Sequence, residues 1–436
     1  MSNEAIYGLV LAAVIVAILI NWRLKINLGL VCLVFAYLIG CIVMGMKAKT
    51  VVSFTPVSIV FQLAALTFFF SFPHQNGTLE AIANKLMYRF RHRAWSLPLV
   101  LLFIGVLLGI IGAPNPMISI VLGVLGFRLC KKCNINPIFI AVIAALNGFG
   151  SNVLWTQAGT IISTTIAGLG YEQSTADAYA WKYFLLSAIT FMIVVLIFYF
   201  VLKGYKAKAP DDMEKPAPFT GVQKKTLLIV LIIVGLVIVS NVLGVFFKGP
   251  VVTAFKGYCD IQMLCVVGGV VCILLNLGSA REAIGKGIPW NTIIMITGIV
   301  VLLGVAQEAG VVDWLGSQVS DSVPVVLIPA FLVLITGLLS FFAGGITAIF
   351  PMIAPLVPAI AEMTGIPAST LFSCTAIGGN LTTVSPFSTG GATVLSTCPY
   401  EEDQVRVFRG QLATAFVGLG VAIVLALLGF YNLIPI

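Results

Sequence analysis

Apolar residues run along this chain in long unbroken stretches, with polar residues gathered at their ends. A crossing helix needs about 20 apolar residues. On that measure the pattern predicts spans near 5–21, 27–45, 55–72, 136–168, 181–203, 226–247, 258–276, 289–307, 368–398 and 408–434. Those at 136–168 and 368–398 are long and interrupted. Two more stretches, 96–130 and 326–361, are apolar around a central break. The first breaks at Gly112-Ala113-Pro114-Asn115-Pro116 and the second at Ala343-Gly344-Gly345-Ile346-Thr347. A transmembrane barrel would need short alternating strands instead. The expectation is an all-α polytopic membrane protein of about ten transmembrane helices plus two re-entrant hairpins.

Charge orients these runs. Cytoplasmic loops are enriched in Lys and Arg. With the N-terminus outside, the inner loops hold Arg23, Lys25, Lys85, Arg89, Arg91, Arg93, Arg128, Lys131, Lys132, Lys203, Lys206, Lys208, Lys215, Lys224, Lys225, Arg281, Lys286, Arg406 and Arg409. The outer loops hold Lys47, Lys49, Lys182, Lys248 and Lys256. That is nineteen against five of the 24 basic residues. Basic clusters flank 96–130 on both sides, so this stretch enters and leaves by the cytoplasmic face. Backbone exposed at that depth is tolerated only where protein or an aqueous cavity covers it. Both termini are expected outside.

A single shift of 231 residues carries 27–45 onto 258–276, 96–130 onto 327–361 and 181–203 onto 412–434. It also carries Gly148 onto Gly379, Ser151 onto Thr382 and Gly159 onto Gly390. Five crossings per half make the halves inverted repeats. The first is 1–203, with scaffold spans 5–72, hairpin 96–130, broken span 136–168 and last span 181–203. A polar linker at 204–225 follows. The second is 226–436, with scaffold spans 226–307, hairpin 326–361, broken span 368–398 and last span 408–434. Inverted repeats with broken helices at the midplane are a transporter architecture.

Composition narrows the class further. The chain is 60% hydrophobic and 9% charged, where soluble domains carry roughly 25% charged residues. The net charge of +8 sits in short loops and does not point to nucleic acid. Met1-Ser2-Asn3-Glu4 has no basic n-region and no cleavage motif follows, so the first run is expected to stay as a span. The nine cysteines are scattered. Cys130-Lys131-Lys132-Cys133 reads as two reduced thiols without a partner pair. No cofactor is expected.

Glycine and proline at the four interruptions unwind the helix. Freed carbonyls can hold Na⁺, and half-helix N-termini suit a carboxylate. The substrate-facing candidates are Pro114, Asn115, Pro116, Ser151, Asn152, Thr156, Gln157, Gly345, Thr347, Asn380, Thr382, Thr383, Ser385, Ser388 and Thr389. The Na⁺ candidates are Gly112, Asn115, Gly148, Ser151, Asn152, Gly344, Thr347, Gly379, Asn380 and Thr382. None of the interruptions holds Lys or Arg, so an anion would be held by dipoles, amides and hydroxyls. Small polar residues also serve helix packing in membranes; four runs paired by one shift favour the functional reading. Trp155 divides evenly between cavity wall and core. His74, at a span end, reads as interfacial and His92 as solvated. Glu308, Asp313, Asp321 and Glu362 suit the outer face, and Glu401-Glu402-Asp403 an inner loop.

Hairpin followed by broken helix, twice over, resembles the ion transporter superfamily. Within it the chain is similar to divalent anion/sodium symporters and malonate-type dicarboxylate carriers. The symporters carry Ser-Asn-Thr at each hairpin tip. Here Pro114-Asn115-Pro116 keeps the asparagine and Gly345-Ile346-Thr347 the threonine. A later proline of that motif is kept as Pro355 and is Val124 in the first half. The broken spans match over Gly148 to Thr160 and Gly378 to Gly391. The resemblance implies that Asn115, Ser151 and Asn152 border one cation and substrate region, and Thr347, Asn380 and Thr382 its counterpart. It implies a homodimer with an elevator mechanism, seated in lipid, in a bacterial inner (plasma) membrane.

The leading expectation is a symporter, a secondary carrier of a small carboxylate and above all a dicarboxylate, coupled to Na⁺ or H⁺. The alternative is a Na⁺/H⁺ antiporter or an arsenite-type oxyanion exporter. An antiporter normally needs a mid-membrane carboxylate, and no span centre has one. An enzyme would want a His/carboxylate cluster, a metal set or an activated nucleophile. A channel would lack saturable, coupled flux.

Overall fold

The computed structural model describes residues 3–24, 26–90, 94–113, 115–208, 215–246, 249–311, 314, 323–341, 344–398 and 401–434. Pro114, His92, Asp313, Asp321 and Ala343 lie outside them. Among the described residues every regular element is helical and none is a strand.

The first half opens with α1 (Asn3–Leu24), α2 (Leu28–Tyr37, drawn on as a π turn to Val43), α3 (Ala48–Ser53), α4 (Val57–Gln75) and α5 (Thr78–Phe90). Asn27 starts α2 by accepting from Gly29 N at 2.8 Å, which satisfies a first-turn donor. Next come α6 (Leu97–Ile111), α7 (Asn115–Cys133), α8 (Pro137–Leu146), α9 (Gln157–Gly168) and α10 (Gln173–Val201). The second half holds α11 (Gly221–Phe246), α12 (Pro250–Tyr258), α13 (Ile261–Leu274) and α14 (Trp290–Glu308). It continues with α15 (Ile328–Ser340), α16 (Gly345–Thr364), α17 (Ala368–Leu381), α18 (Thr389–Ser396) and α19 (Glu401–Leu427).

Among the described residues, three helices are long and apolar enough to cross a membrane alone: Gln173–Val201, Gly345–Thr364 and Asp403–Leu427. Pro137–Asn152 with Gln157–Gly168, bent by 50°, makes a fourth if taken as one span. Several predicted spans appear as shorter apolar helices, such as Leu28–Val43 and Ile261–Leu274. Polar caps trim them, for instance Asp260, which accepts from Gln262 N and Met263 N at 3.0 Å. Large apolar side chains stay exposed around the outside, among them Ile15, Val34, Phe200, Leu231, Leu274 and Val424. A soluble monomer rarely leaves so much apolar surface open.

The two halves interlock. Helix α2 packs on α14 and α4 packs on α13. The first contact brings backbone to backbone: a Cβ on Gly298 would lie 1.9 Å from Gly29 O, and one on Gly29 would lie 2.1 Å from Ile294 O. In the second, Gly269 receives the Phe68 ring and Gly268 the Phe69 ring. A large core joins α4 through α10 to α15–α19, and a smaller one lies between α1, α2 and α14. Lys182, counted above with the outer loops, is instead buried at 1% exposure. Its Nζ donates to Ser369 Oγ and Thr370 Oγ1, both at 3.0 Å.

Candidate functional site

Helix α6 ends at Gly112, which takes a left-handed φ of +105°. Gly112 N donates to Gly109 O at 2.8 Å and Ala113 N to Leu108 O at 3.0 Å. This two-bond stop satisfies the last carbonyls of the helix. The chain then starts α7 at Asn115. Helix α8 gives way to a 3₁₀ turn, Asn147–Asn152. Gly150 in that turn lies against α6, since a Cβ there would be 2.5 Å from Val106 O. Ser151 is thereby brought under the first break, and its Oγ donates to Asn115 Oδ1 at 2.6 Å.

A second break lies at Gly345, among other side chains. Gly345 starts α16 against α17, where a Cβ would lie 2.2 Å from Gly379 O. Ser340 Oγ donates to that same carbonyl at 2.6 Å. Helix α17 ends in a 3₁₀ turn, Thr382–Val384, and Ser388 caps α18 by accepting from Gly391 N at 3.2 Å. The two broken segments touch directly: Asn380 Nδ2 donates to Asn152 Oδ1 at 3.2 Å and to Tyr183 Oη at 2.7 Å. Asn152 Nδ2 in turn donates to Ser187 Oγ at 3.1 Å.

A cavity of about 640 Å³ lies where these segments meet. The first turns of four helices line it: Asn115 and Met117 of α7, Gln157 and Ala158 of α9, Gly345 to Thr347 of α16, and Gly390 of α18. First-turn N–H groups lack intrahelical acceptors and carry partial positive charge. Four of them around one space favour an anion without any arginine or lysine among them.

Of the predicted residues, Asn115, Gln157, Gly344, Gly345, Thr347, Asn380 and Thr383 face this cavity. Ser151, Asn152, Thr156, Thr382, Ser385 and Ser388 are buried behind it. Their polar groups are engaged within the protein. Thr156 Oγ1 donates to Ser151 O and Val153 O. Thr382 Oγ1 donates to Gly337 O at 2.9 Å, Ser385 Oγ to Phe341 O at 3.0 Å and Ser388 Oγ to Ser385 O at 2.9 Å. These residues brace the turns. Gly344 and Gly379, offered for Na⁺, already accept hydrogen bonds at their carbonyls. Gly344 O accepts from Ala348 N and Ile349 N, and Gly379 O from Ser340 Oγ and Thr382 Oγ1, so both lone pairs of each carbonyl are taken. Pro114 lies outside the described residues. Trp155 packs edge-on against Trp181 and donates to Ile110 O at 2.9 Å.

The cavity has a second wall that the sequence reading missed: Thr67, Ser71, His74 and Gln75 of α4, with Glu282 and Lys286 from the turn before α14. The signal for it was the polar spacing Thr67, Ser71, His74 inside an apolar run. His74 Nδ1 stands 3.4 Å from Glu80 Oε1. That carboxylate raises the imidazole above its ordinary value of 6.5, while burial works the other way. Among the described residues no three His, Cys, Asp or Glu side chains are grouped to hold a metal ion.

With this geometry in view, similarity to known proteins becomes specific. The family model for the N-terminus of the dicarboxylate carrier protein MatC matches residues 1–151, and that for citrate transporters matches residues 261–435. The chain resembles dicarboxylate and citrate carriers. None of the curated protein sequences compared with it matches. Two solved transporters share its fold. The YdaH transporter of Alcanivorax borkumensis is 16% identical, with a TM-score of 0.58 over 90% of this chain and 88% of that one. MtrF of Neisseria gonorrhoeae, described as one of a class of antimetabolite efflux pumps, is 12% identical. Its TM-score is 0.58 over 90% of this chain and 84% of that one. The carrier resemblance, with the apolar exterior, points to a membrane carrier rather than an enzyme.

Proposed function

We propose that this protein is a secondary active transporter of a small carboxylate, a dicarboxylate first of all, coupled to Na⁺ or H⁺. The observation that carries this reading is the cavity ringed by four helix N-termini. A carboxylate there gains from each dipole, and neutral amides from Asn115 and Gln157 complete its shell. The family models for dicarboxylate and citrate carriers support the substrate class.

The architecture in this reading is two inverted repeats, with α6–α7 and α15–α16 as re-entrant hairpins entering from opposite faces. The reciprocal packing of α2 on α14 and α4 on α13 supports it, because the 231-residue shift turns one pair into the other. Scaffold spans would hold a homodimer. Hairpins, broken spans and last spans would move as one unit. The cavity is lined by residues next to predicted inner loops, His74 and Lys286 among them, which matches a state open to the cytoplasm.

The test is uptake of labelled malonate, succinate, citrate and acetate into proteoliposomes, with and without Na⁺ and across a pH gradient. We expect saturable, ion-dependent malonate or succinate uptake. Asn115→Ala and Gln157→Ala should each abolish it while the purified variants stay folded. Full uptake in both variants would refute the site, and uptake of none of the acids would refute the substrate class.

A further inference from the structure

Helix α4 turns one polar face to the cavity through Thr67, Ser71, His74 and Gln75, positions spaced to fall on one side of a helix. Three of the four are engaged with protein. Thr67 Oγ1 donates to Leu63 O at 2.6 Å. Gln75 Nε2 donates to Ser71 Oγ at 2.9 Å, and its Oε1 accepts from Ser279 N at 2.8 Å. His74 differs. Its Nδ1 is buried without a well-formed hydrogen bond, and so is Glu80 Oε2 beside it. The turn Ala283–Gly287 leans on the same helix, with a Cβ on Gly287 falling 2.5 Å from Ser71 Oγ. It brings Lys286 to the cavity's edge, held by Glu282 at a loose 3.6 Å. Among the described residues, His74 and Lys286 are the basic side chains that line this cavity.

We propose that His74 and Lys286 form a second carboxylate subsite at the mouth of the cavity, which reads the distal charge of a dicarboxylate. The proposal rests on the carrier reading and deepens it. One carboxylate sits among the helix N-termini, where a monocarboxylate ends. The second reaches the mouth and replaces the loosely held Glu80 and Glu282 as partner of the two cations.

The groups around His74 set the sign of its pH dependence. They are Glu80 on α5, and Glu282 and Lys286 on the facing turn. Helix α5 also carries Lys85, Tyr88 and Arg89, α11 adds the exposed Lys224 and Lys225, α13 only the thiols of Cys265 and Cys272, α14 only Glu308 as its last residue, and α9 nothing titratable. Glu80 raises the imidazole above 6.5. The imidazolium is present below that raised value and lost above it. Dicarboxylate affinity is therefore highest at acid pH and falls as pH rises through it.

The experiment measures binding of malonate and of acetate to the purified full-length protein by calorimetry between pH 5 and 8. His74→Gln should weaken malonate on the order of ten-fold at acid pH, about the size of one charged hydrogen bond. It should also flatten the pH profile and change acetate much less. Lys286→Gln should weaken malonate across the whole range. Glu80→Gln should move the midpoint of the wild-type profile to lower pH. A His74→Gln protein that keeps the wild-type profile and malonate-to-acetate ratio would overturn the subsite. If that variant does not fold, an unmoved midpoint in Glu80→Gln overturns it instead. Wild-type protein that binds both acids equally leaves the carrier reading standing and removes only the subsite. Binding of neither, together with uptake of none of the four acids, removes both.

Discussion

Position 345 tolerates only glycine because another backbone occupies the space its side chain would need. A Cβ there would lie 2.2 Å from Gly379 O, and neither strand of backbone can yield without opening the second break. Gly345→Ala should therefore lower stability by about 1–3 kcal/mol, the usual range for overpacking, read as a fall in the detergent melting temperature. Thr382 makes a different demand. It is fully buried and its hydroxyl goes to Gly337 O. Thr382→Val should lower stability by about 1 kcal/mol and leave malonate affinity near wild type. A large loss of affinity with unchanged stability would return Thr382 to the substrate's shell.

Helix pairs are chosen by where glycine lets backbones meet. Gly29 and Gly298 bring α2 and α14 into contact across the two halves. Gly298→Ala should force that pair apart and shift the melting temperature down. Gly420 in α19 is the matched control, because nothing lies within 4 Å of a Cβ added there. Gly420→Ala should be neutral, or stabilising by up to about 1 kcal/mol through helix propensity. Equal effects at both positions would mean that glycine acts here through propensity alone. The breaks follow the same logic. Gly112 was legible as a break from Gly-Ala-Pro, and the structure closes the helix there with two backbone bonds. The brace that holds Asn115 was not legible, because Ser151 reaches it only after α8 folds back along α6.

At the scale of the molecule, the inverted arrangement we propose makes a sidedness prediction. Cysteines placed at Lys85, Asn134 and Ser279 should react with an impermeant thiol reagent from one face, and those at Glu172 and Glu362 from the other. The background is low, since every native cysteine except the half-buried Cys41 is buried. Labelling of Lys85 and Asn134 from opposite faces would mean that 96–130 crosses the membrane.

The helical class, the four interruptions and the absence of fixed charge within them were all readable from the chain itself. They depend on composition and period, which are local properties. Which neutral groups face the cavity was not readable. Thr382 and Thr383 are neighbours with the same chemistry, yet one bonds Gly337 O behind the wall and the other lines the cavity. Nor could the chain alone reveal that Asn152 meets Asn380 across 228 residues, or that α4 turns His74 inward. Periodicity gives a helix a polar face; only packing against distant elements decides what that face meets.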